Sequence, residues 1–215
     1  QTVDDTPKDV LRFLPKVFGK QIRKIEMKKS YRNTLEIAEY ASAITGVNDI
    51  KFLERHGKPV VEEKVNMLVD AIDKILENVR VGAEGYETAA VLTMTDDEAR
   101  DVYAYLKNKR PDVFYIDRDS SAFKKGITVT TYYLAKGLEF DLVLMPYCAK
   151  ETFGAAEDVE AMGNLEDALA QDIKLLYVAV TRAKRELIIT YSGELTDLLP
   201  DESKGVYDKK GIKWN

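Results

Sequence analysis

Three segments of the sequence carry polar side chains that could bind a nucleotide. The segment SYRNTLEIAEYA places Tyr31 and Arg32 in a loop ahead of a helix, where an aromatic ring can stack on a base and a guanidinium can pair with phosphate oxygens. The segment ITVTTYYLAKGLEFDLVLMP contains Gly137, which permits close backbone approach to a ligand, and Glu139, whose carboxylate can accept hydrogen bonds from ribose hydroxyls. The segment LLYVAVTRAKREL includes Arg182, which could reach a phosphate of a neighbouring domain or subunit.

Each segment also has an ordinary structural interpretation. Tyr31 could pack at a helix start beside a solvated Arg32, and the turn at Gly137 could leave Glu139 merely exposed. Arg182 could be a surface arginine near a helix C-terminus, where the helix dipole stabilises a cation. Taken singly, the segments leave both interpretations open.

Apolar periodicity predicts the strands and helices that position these segments. Five helices are predicted. The first is VLRFLPKVF after Thr6, the second runs from Ile37 and ends at Gly46, and the third runs from Val65 and ends at Gly82. The fourth begins after an N-cap at Asp96, and the fifth is LEDALAQDIKLLYVAVTRAK. The predicted strands are residues 22–27, AAVLTM, VFYI, ITVTT, DLVLM and ELIITY. The alternation indicates an α/β fold, with a mostly parallel sheet covered by helices on both faces and functional loops at the carboxyl ends of the strands. The acidic stretch between Lys150 and Lys174, which contains no Lys or Arg, is predicted to be a mobile loop.

The composition is typical of a globular protein with one domain. The chain has 215 residues, 45% of them hydrophobic, and its single Cys cannot form an internal disulfide. A net charge of -5 disfavours binding DNA by bulk charge alone. Local basic clusters remain at Lys28, Lys29, Arg32, Lys124, Lys125, Arg182, Lys184 and Arg185. No apolar run approaches the roughly 20 residues of a membrane span and no signal peptide is visible, so we expect a cytoplasmic protein that contacts no membrane. Because the sequence does not begin with Met, residues 1–215 are interpreted as a single-domain fragment of a longer protein.

Several patterns of catalytic or metal sites are missing from the sequence. It contains no G-x-x-x-x-G-K-[ST] pattern, so the chain is not expected to cradle ATP phosphates by itself. VLTMTDDEAR is similar to a strand that ends in an Asp-Glu pair for Mg²⁺, but Asp96, Asp97 and Glu98 lead into a helical pattern and predict a helix N-cap. His56 and Cys148 are each alone of their type, so we expect no metal site and no Cys/His pair.

In their order and spacing, SYRN, AKGLEF and LLYVAVTRAK resemble motifs IV, V and VI of superfamily 1 DNA helicases of the UvrD/Rep type. The resemblance extends from Ser30 to Tyr191, and the combination of AKGLEF with LLYVAVTRAK is highly specific. In the family, motif IV usually reads NYRS, and motif V usually has His where Tyr133 stands. The SYR start and YLAKGLEFD are closer to the HelD-like branch, which is associated with RNA polymerase.

The resemblance implies a RecA-like fold, the second motor domain of an ATP-dependent DNA helicase with a role such as DNA repair. It implies that Tyr31 stacks on adenine, that Arg32 and Arg182 contact the γ-phosphate, and that Gly137 and Glu139 lie at the ribose. Arg182 would be the arginine finger, a group that stabilises charge on the transferring phosphoryl group. ATP and Mg²⁺ would be bound mainly by the missing N-terminal motor domain, so this chain alone would be inactive.

The same resemblance implies a contact with single-stranded or partly duplex DNA. Thr131 and Tyr133 occupy positions that, in the family, face DNA or couple it to ATP, and the departure from His leaves the role of Tyr133 open. Opening and closing of the cleft between the two motor domains would drive translocation along single-stranded DNA.

Two other functions stay open. The chain could be a degenerate helicase half that docks on RNA polymerase or a repair protein without ATP turnover, although Arg32, Glu139 and Arg182 argue against such decay. It could also be a hydrolase-like or nucleotide-binding α/β enzyme that is complete in itself. That enzyme would need a P-loop or a pair of nucleophile and base, neither of which the sequence contains.

Overall fold

The computed structural model describes residues 29–30, 32–46, 51–52, 55–78, 85–118, 124–201 and 205–208. The predicted first helix, the predicted strand over residues 22–27, Tyr31 and Gly82 lie outside these ranges. The helices are α1 (Leu35–Thr45), α2 (Leu68–Asn78), α3 (Asp96–Lys107), α4 (Ala156–Met162) and α5 (Leu165–Val180), with a 3-10 turn at Lys150–Thr152. The strands are β1 (Lys29–Ser30), β2 (Lys51–Phe52), β3 (Val60–Lys64), β4 (Thr88–Thr93), β5 (Val113–Tyr115), β6 (Gly126–Thr131), β7 (Phe140–Met145), β8 (Ala183–Tyr191) and β9 (Tyr207–Asp208).

Within the described residues, seven strands form one sheet in the order β5-β6-β4-β7-β8-β3-β9. Every pairing in this sheet is parallel, and β1 and β2 form a separate parallel pair. Successive side chains of β4 enter different cores: Ala90 and Leu92 pack with α1 and α5, whereas Ala89 and Val91 pack with α2 and α3. The helices therefore cover both faces, which confirms the predicted α/β fold.

The ends of two helices show how the sequence sets element boundaries. Helix α1 ends as predicted at Gly46, which adopts φ 67° and donates its N–H to the carbonyl of Ser42. The predicted cap of α3 was off by one residue, because Thr95 and not Asp96 is the N-cap. The Thr95 hydroxyl accepts from the Glu98 N–H at 3.3 Å, and the Glu98 carboxylate accepts from the Thr95 N–H at 3.0 Å. This reciprocal pair is a capping box.

The prediction of a mobile loop after Lys150 is wrong where the 3-10 turn and α4 form, whereas the helix predicted from Leu165 is confirmed as α5. After the 3-10 turn the chain forms α4 and then enters α5, where the side chain of Asn164 accepts from the Asp167 N–H at 2.8 Å. Acidic residues in the first turn suit the positive end of a helix, so a run without Lys or Arg is compatible with a helix start.

Candidate functional site

Arg32 and Glu139, which come from different predicted motifs, meet in an ion pair. Arg32 lies in the loop before α1, and Glu139 directly precedes β7. The Nε of Arg32 contacts Oε1 of Glu139, and the two side chains are 41% and 38% exposed. Both groups therefore lie at the surface, where a ligand can reach them.

Arg182 lies between α5 and β8, with only 2% of the residue exposed. Its Nε donates to the carbonyl of Val178 at 2.9 Å, and its Nη1 donates to the carbonyl of Leu138 at 3.1 Å. Its Nη2 donates to the hydroxyl of Thr181 at 3.1 Å. The guanidinium thus satisfies carbonyl oxygens at the end of α5 and in the segment before β7. Helix α5 ends at Val180 with Thr181 as its C-cap, so Ala183 and Lys184, which were predicted as helical, belong to β8.

The charges of these groups influence one another. Burial lowers the pKa of Arg182, the neighbouring cation of Arg32 lowers it further, and the carboxylate of Glu139 opposes the shift. The cation of Arg32 and the carboxylate of Glu139 thus act on Arg182 in opposite directions. An anion placed beside Arg182 and Arg32 would lower the electrostatic free energy of the pair of cations.

Asn33 joins the first and third predicted motifs, a contact that sequence reasoning missed. The residue is 8% exposed, and its Nδ2 donates to the carbonyl of Thr181 at 3.1 Å and to that of Ala183 at 2.5 Å. The loop that carries Arg32 is thereby fixed to the turn that carries Arg182. The sequence offered only one indication that Asn33 matters, its position next to Arg32. That position does not reveal that its side chain binds the carbonyl of Ala183, 150 residues away in sequence.

The segment between β6 and β7 runs from the edge of the sheet at the carboxyl ends of the strands to the edge at their amino ends. It is built from turns in which the Leu138 N–H donates to the carbonyl of Ala135 at 3.0 Å, and Tyr132 and Ala135 are fully buried. Gly137 adopts φ +89°, a left-handed conformation that favours glycine, and an added Cβ would meet nothing within 4 Å. Gly137 thus has open space beside it, and its role as a ligand-facing glycine stays a prediction.

Thr131 and Tyr133 lie at the other end of this crossing segment, away from Arg182. Thr131 is the last residue of β6, whereas Glu139 and Arg182 precede β7 and β8. Because the strands are parallel, these positions belong to opposite edges of the sheet. The prediction of functional loops at the carboxyl ends therefore fits Thr131 and Tyr133 but is wrong for Glu139 and Arg182.

A cleft of about 500 Å³ lies beside Thr131 and the half-exposed ring of Tyr133. Its walls also contain Met94, Asp96, Arg100, Asp117, Arg118 and Leu134. Arg100 is engaged by Asp96 at 2.6 Å, so the cleft carries both signs of charge. An aromatic ring beside two arginines is a combination that can stack on bases and pair with phosphates.

The remaining candidate residues have structural surroundings. His56 contacts the carboxylate of Glu36 at 3.0 Å, and Cys148 is buried against the hydroxyl of Tyr132. In the described ranges, no cluster of three or more His, Cys, Asp or Glu side chains could hold a metal ion. None of the helices in these ranges is long and apolar enough to cross a membrane.

Comparison with known proteins shows that the chain is similar to DNA helicases. Residues 116–194 match the family model of the UvrD-like helicase C-terminal domain. DNA helicase II of Rickettsia typhi is 36% identical over 67 residues, which cover 31% of this chain and 10% of that protein. ATP-dependent DNA helicase PcrA of Staphylococcus aureus is 32% identical over 76 residues, which cover 35% of this chain and 10% of that protein. The chain thus matches about a tenth of the length of these curated relatives.

A solved structure extends the similarity over most of the chain. The C-terminal domain of a possible DNA helicase from Lactobacillus plantarum WCFS1 is 26% identical, with a TM-score of 0.60. The match covers 84% of this chain and 98% of that one. Together these similarities confirm the resemblance to C-terminal domains of UvrD-type helicases and the RecA-like fold. The assignment to the HelD-like branch stays a prediction.

Proposed function

We propose that this chain, which matches the UvrD-like helicase C-terminal domain over residues 116–194, is the second motor domain of an ATP-dependent DNA helicase or translocase. In this proposal it forms one domain of a longer cytoplasmic protein, and the N-terminal motor domain of that protein carries the P-loop. The observation that carries the proposal is the meeting of Arg32, Glu139 and Arg182 at one edge of the sheet.

This edge has the chemistry needed to complete a nucleotide site. Arg32 and Arg182 supply cations, and the lowered pKa of Arg182, caused first by burial and then by Arg32, means that a phosphate beside it would be favourable. Glu139 supplies an acceptor for a ribose hydroxyl beside the open space at Gly137. The residues of the chain thus fit the outer part of a bound ATP, and the absence of a P-loop pattern leaves Mg²⁺ and most phosphate contacts to the other domain.

Arg182 would act as the arginine finger by exchanging partners. In the structure its guanidinium donates to the carbonyls of Val178 and Leu138, so reaching the γ-phosphate requires the side chain to swing out. Burial makes that guanidinium poorly hydrated, and charge developing on a phosphoryl group would then attract it strongly. Because the movement depends on closure of the cleft between two domains, hydrolysis would be tied to domain motion.

The opposite edge is proposed to contact single-stranded DNA. The cleft beside Thr131 and Tyr133 combines an aromatic ring with Arg100 and Arg118, a combination suited to bases and phosphates. The short segment from Tyr132 to Glu139 connects this edge directly to the proposed nucleotide edge. A displacement caused by DNA would therefore reach Glu139 without passing through a helix.

The test uses the full-length polypeptide and compares Arg182→Ala, Arg182→Lys and Arg32→Ala, with Lys150→Ala as control. Lys150 is also a basic residue, but its partner is Asp197 and it follows the carboxyl end of β7. DNA-stimulated ATP turnover should fall by about 10³-fold for Arg182→Ala and Arg182→Lys, while nucleotide affinity changes by less than about tenfold. Arg32→Ala, which removes an exposed side chain and should leave folding intact, should lower turnover in the same direction.

Two outcomes would contradict the proposal. Unchanged ATP turnover in folded Arg182 and Arg32 variants would show that neither residue takes part in hydrolysis. ATP hydrolysis by residues 1–215 alone would favour a complete enzyme instead. Circular dichroism of each variant separates a loss of chemistry from a loss of folding.

A further inference from the structure

A second basic cleft, of about 290 Å³, lies beside β3 and β8. It is lined by Thr34, Arg55, His56, Gly57, Lys58, Tyr86 and Arg185. Neither the proposed finger Arg182 nor Glu139 belongs to it, and it does not overlap the cleft beside Tyr133. Its function is therefore a separate question.

The cations of this cleft are held in place mainly by backbone carbonyls. One Arg55 nitrogen donates to the carbonyls of Arg32 at 2.8 Å and Lys184 at 2.6 Å. Arg185 donates from Nη1 to the carbonyl of Gly85 at 2.8 Å. In the part of the chain that the structure describes, neither guanidinium forms an ion pair with a carboxylate. Their positions are fixed while their charges are not neutralised.

The nearby carboxylates cancel only part of the positive charge of the cleft. Lys58 contacts Glu186 at 2.9 Å, and the same carboxylate accepts from the hydroxyl of Tyr86. Glu36 accepts from His56 and from the Gly57 N–H at 2.8 Å. Glu186 thus offsets Lys58 and the carboxylate of Glu36 offsets one further cation, so with a neutral His56 the cleft keeps one positive charge in excess.

A buried hydroxyl in the cleft has no partner. Thr34 is 3% exposed, and its Oγ1 makes no hydrogen bond to any residue that the structure describes. Thr34 is the N-cap residue of α1, yet its side chain makes no capping hydrogen bond. Leaving a buried hydroxyl unpaired is unfavourable, and a rotation of the Thr34 side chain toward the cleft would give this hydroxyl a ligand oxygen as its partner.

We propose that this cleft binds a phosphate group, with Arg55, Lys58 and Arg185 as the cationic contacts and the Thr34 hydroxyl as a hydrogen-bond donor. Guanidinium groups bind the tetrahedral oxygens of phosphate in bidentate fashion, which distinguishes phosphate from a monovalent halide. The volume lies at the lower end of the range for ligand pockets, so it suits one phosphate group and its immediate surroundings. The proposal does not rest on the proposed motor function, although Arg55 also holds the backbone of Arg32.

Titration of the 215-residue chain by ¹⁵N-edited NMR tests the site, with inorganic phosphate as the first probe. We expect saturable shifts of the Gly57 amide and of the Arg55 and Arg185 side-chain resonances. The variants Arg55→Gln and Arg185→Gln should each weaken phosphate binding by at least about tenfold, the effect of losing one charge-assisted contact. Lys150→Gln, which removes a basic side chain at the other edge of the sheet, should leave binding unchanged.

The variant Thr34→Val separates a ligand role from a structural one. It keeps the shape of the side chain and removes the unpaired hydroxyl, so the melting temperature should stay the same or rise while phosphate binding weakens. A lower melting temperature with unchanged phosphate binding would overturn the role of Thr34. Equal shifts with acetate, or no saturable response to phosphate in the millimolar range, would overturn the site itself.

A second probe identifies the source of the phosphate. An unphosphorylated oligothymidylate offers only phosphodiesters. If it shifts the same resonances and competes with inorganic phosphate, the site binds a nucleic-acid backbone. If inorganic phosphate alone binds, the site takes a free or terminal phosphate group. Both results support phosphate recognition.

Discussion

Replacing Asp141 with Asn should destabilise the chain more than any comparable change of a surface carboxylate. Asp141 is 8% exposed, and its Oδ2 accepts from the N–H groups of Glu87 at 2.8 Å and Thr88 at 3.1 Å. Its Oδ1 contacts the ammonium of Lys184 at 3.0 Å. Hydrogen-bond donors thus face both carboxylate oxygens of Asp141. In the Asp141→Asn variant the NH₂ group of the amide would face one of these donors in either orientation, which is unfavourable because both groups donate.

The magnitude follows from these contacts. Losing or weakening a charge-assisted hydrogen bond to a buried group costs about 1.5–3 kcal/mol. The contact with Lys184, whose side chain is 34% exposed, adds about 0.5–1 kcal/mol because solvent screens it. We expect Asp141→Asn to lower the free energy of unfolding by about 2–4 kcal/mol. Asp97→Asn is the matched control, because the Asp97 side chain is 94% exposed and lies 3.7 Å from Arg100.

The pH dependence has a definite sign. Although burial works to raise it, the pKa of Asp141 is lowered from 3.8 by the N–H groups of Glu87 and Thr88 and by Lys184. The stabilisation is therefore complete above pH 3.8 and is lost as the pH falls through the lowered native pKa. Urea unfolding followed by circular dichroism measures both variants at pH 7 and in steps below pH 3.8. A cost no larger than that of Asp97→Asn, or one that does not shrink in acid, would refute this reasoning.

Two further predictions concern stability and reactivity. Thr95→Ala should lower the free energy of unfolding by about 1 kcal/mol, because it removes half of the capping box with Glu98. Glu98→Gln should cost less in the same urea titration, and equal costs would argue against the reciprocal pair. Burial raises the pKa of Cys148 to about 12, so its thiol should resist iodoacetamide in the native chain and react after unfolding in urea. Mass spectrometry of the alkylated protein measures both rates, and similar rates in the two states would contradict the buried environment.

The strands and most helices were predictable because their apolar spacing reflects burial on one or both faces. The stop at Gly46 followed from the backbone freedom of glycine, and the capping box could have been identified from the spacing of Thr95 and Glu98. The start of α5 at Leu165 was predicted correctly, but the acidic run before it was not identified as α4, because such a run without Lys or Arg is compatible with both a loop and a short helix.

The candidate site was predictable in its residues but not in its arrangement. The sequence identified Arg32, Glu139 and Arg182, but the rule that ligands bind at the carboxyl ends of parallel strands predicted the wrong edge for two of them. That rule describes sites within one sheet, and the proposed site would instead be completed by another domain. The contacts of Asn33 and Asp141 depend on residues far away in sequence, which local patterns do not encode.

The position of β3 has a consequence for synthesis on the ribosome. Both neighbours of β3 in the sheet, β8 and β9, come from the last part of the described sequence. Until β8 has emerged, the backbone N–H and carbonyl groups of Val60–Lys64 lack their ladder partners. The growing chain must therefore carry an unpaired strand edge through much of translation, the state in which strand edges are most exposed to aggregation.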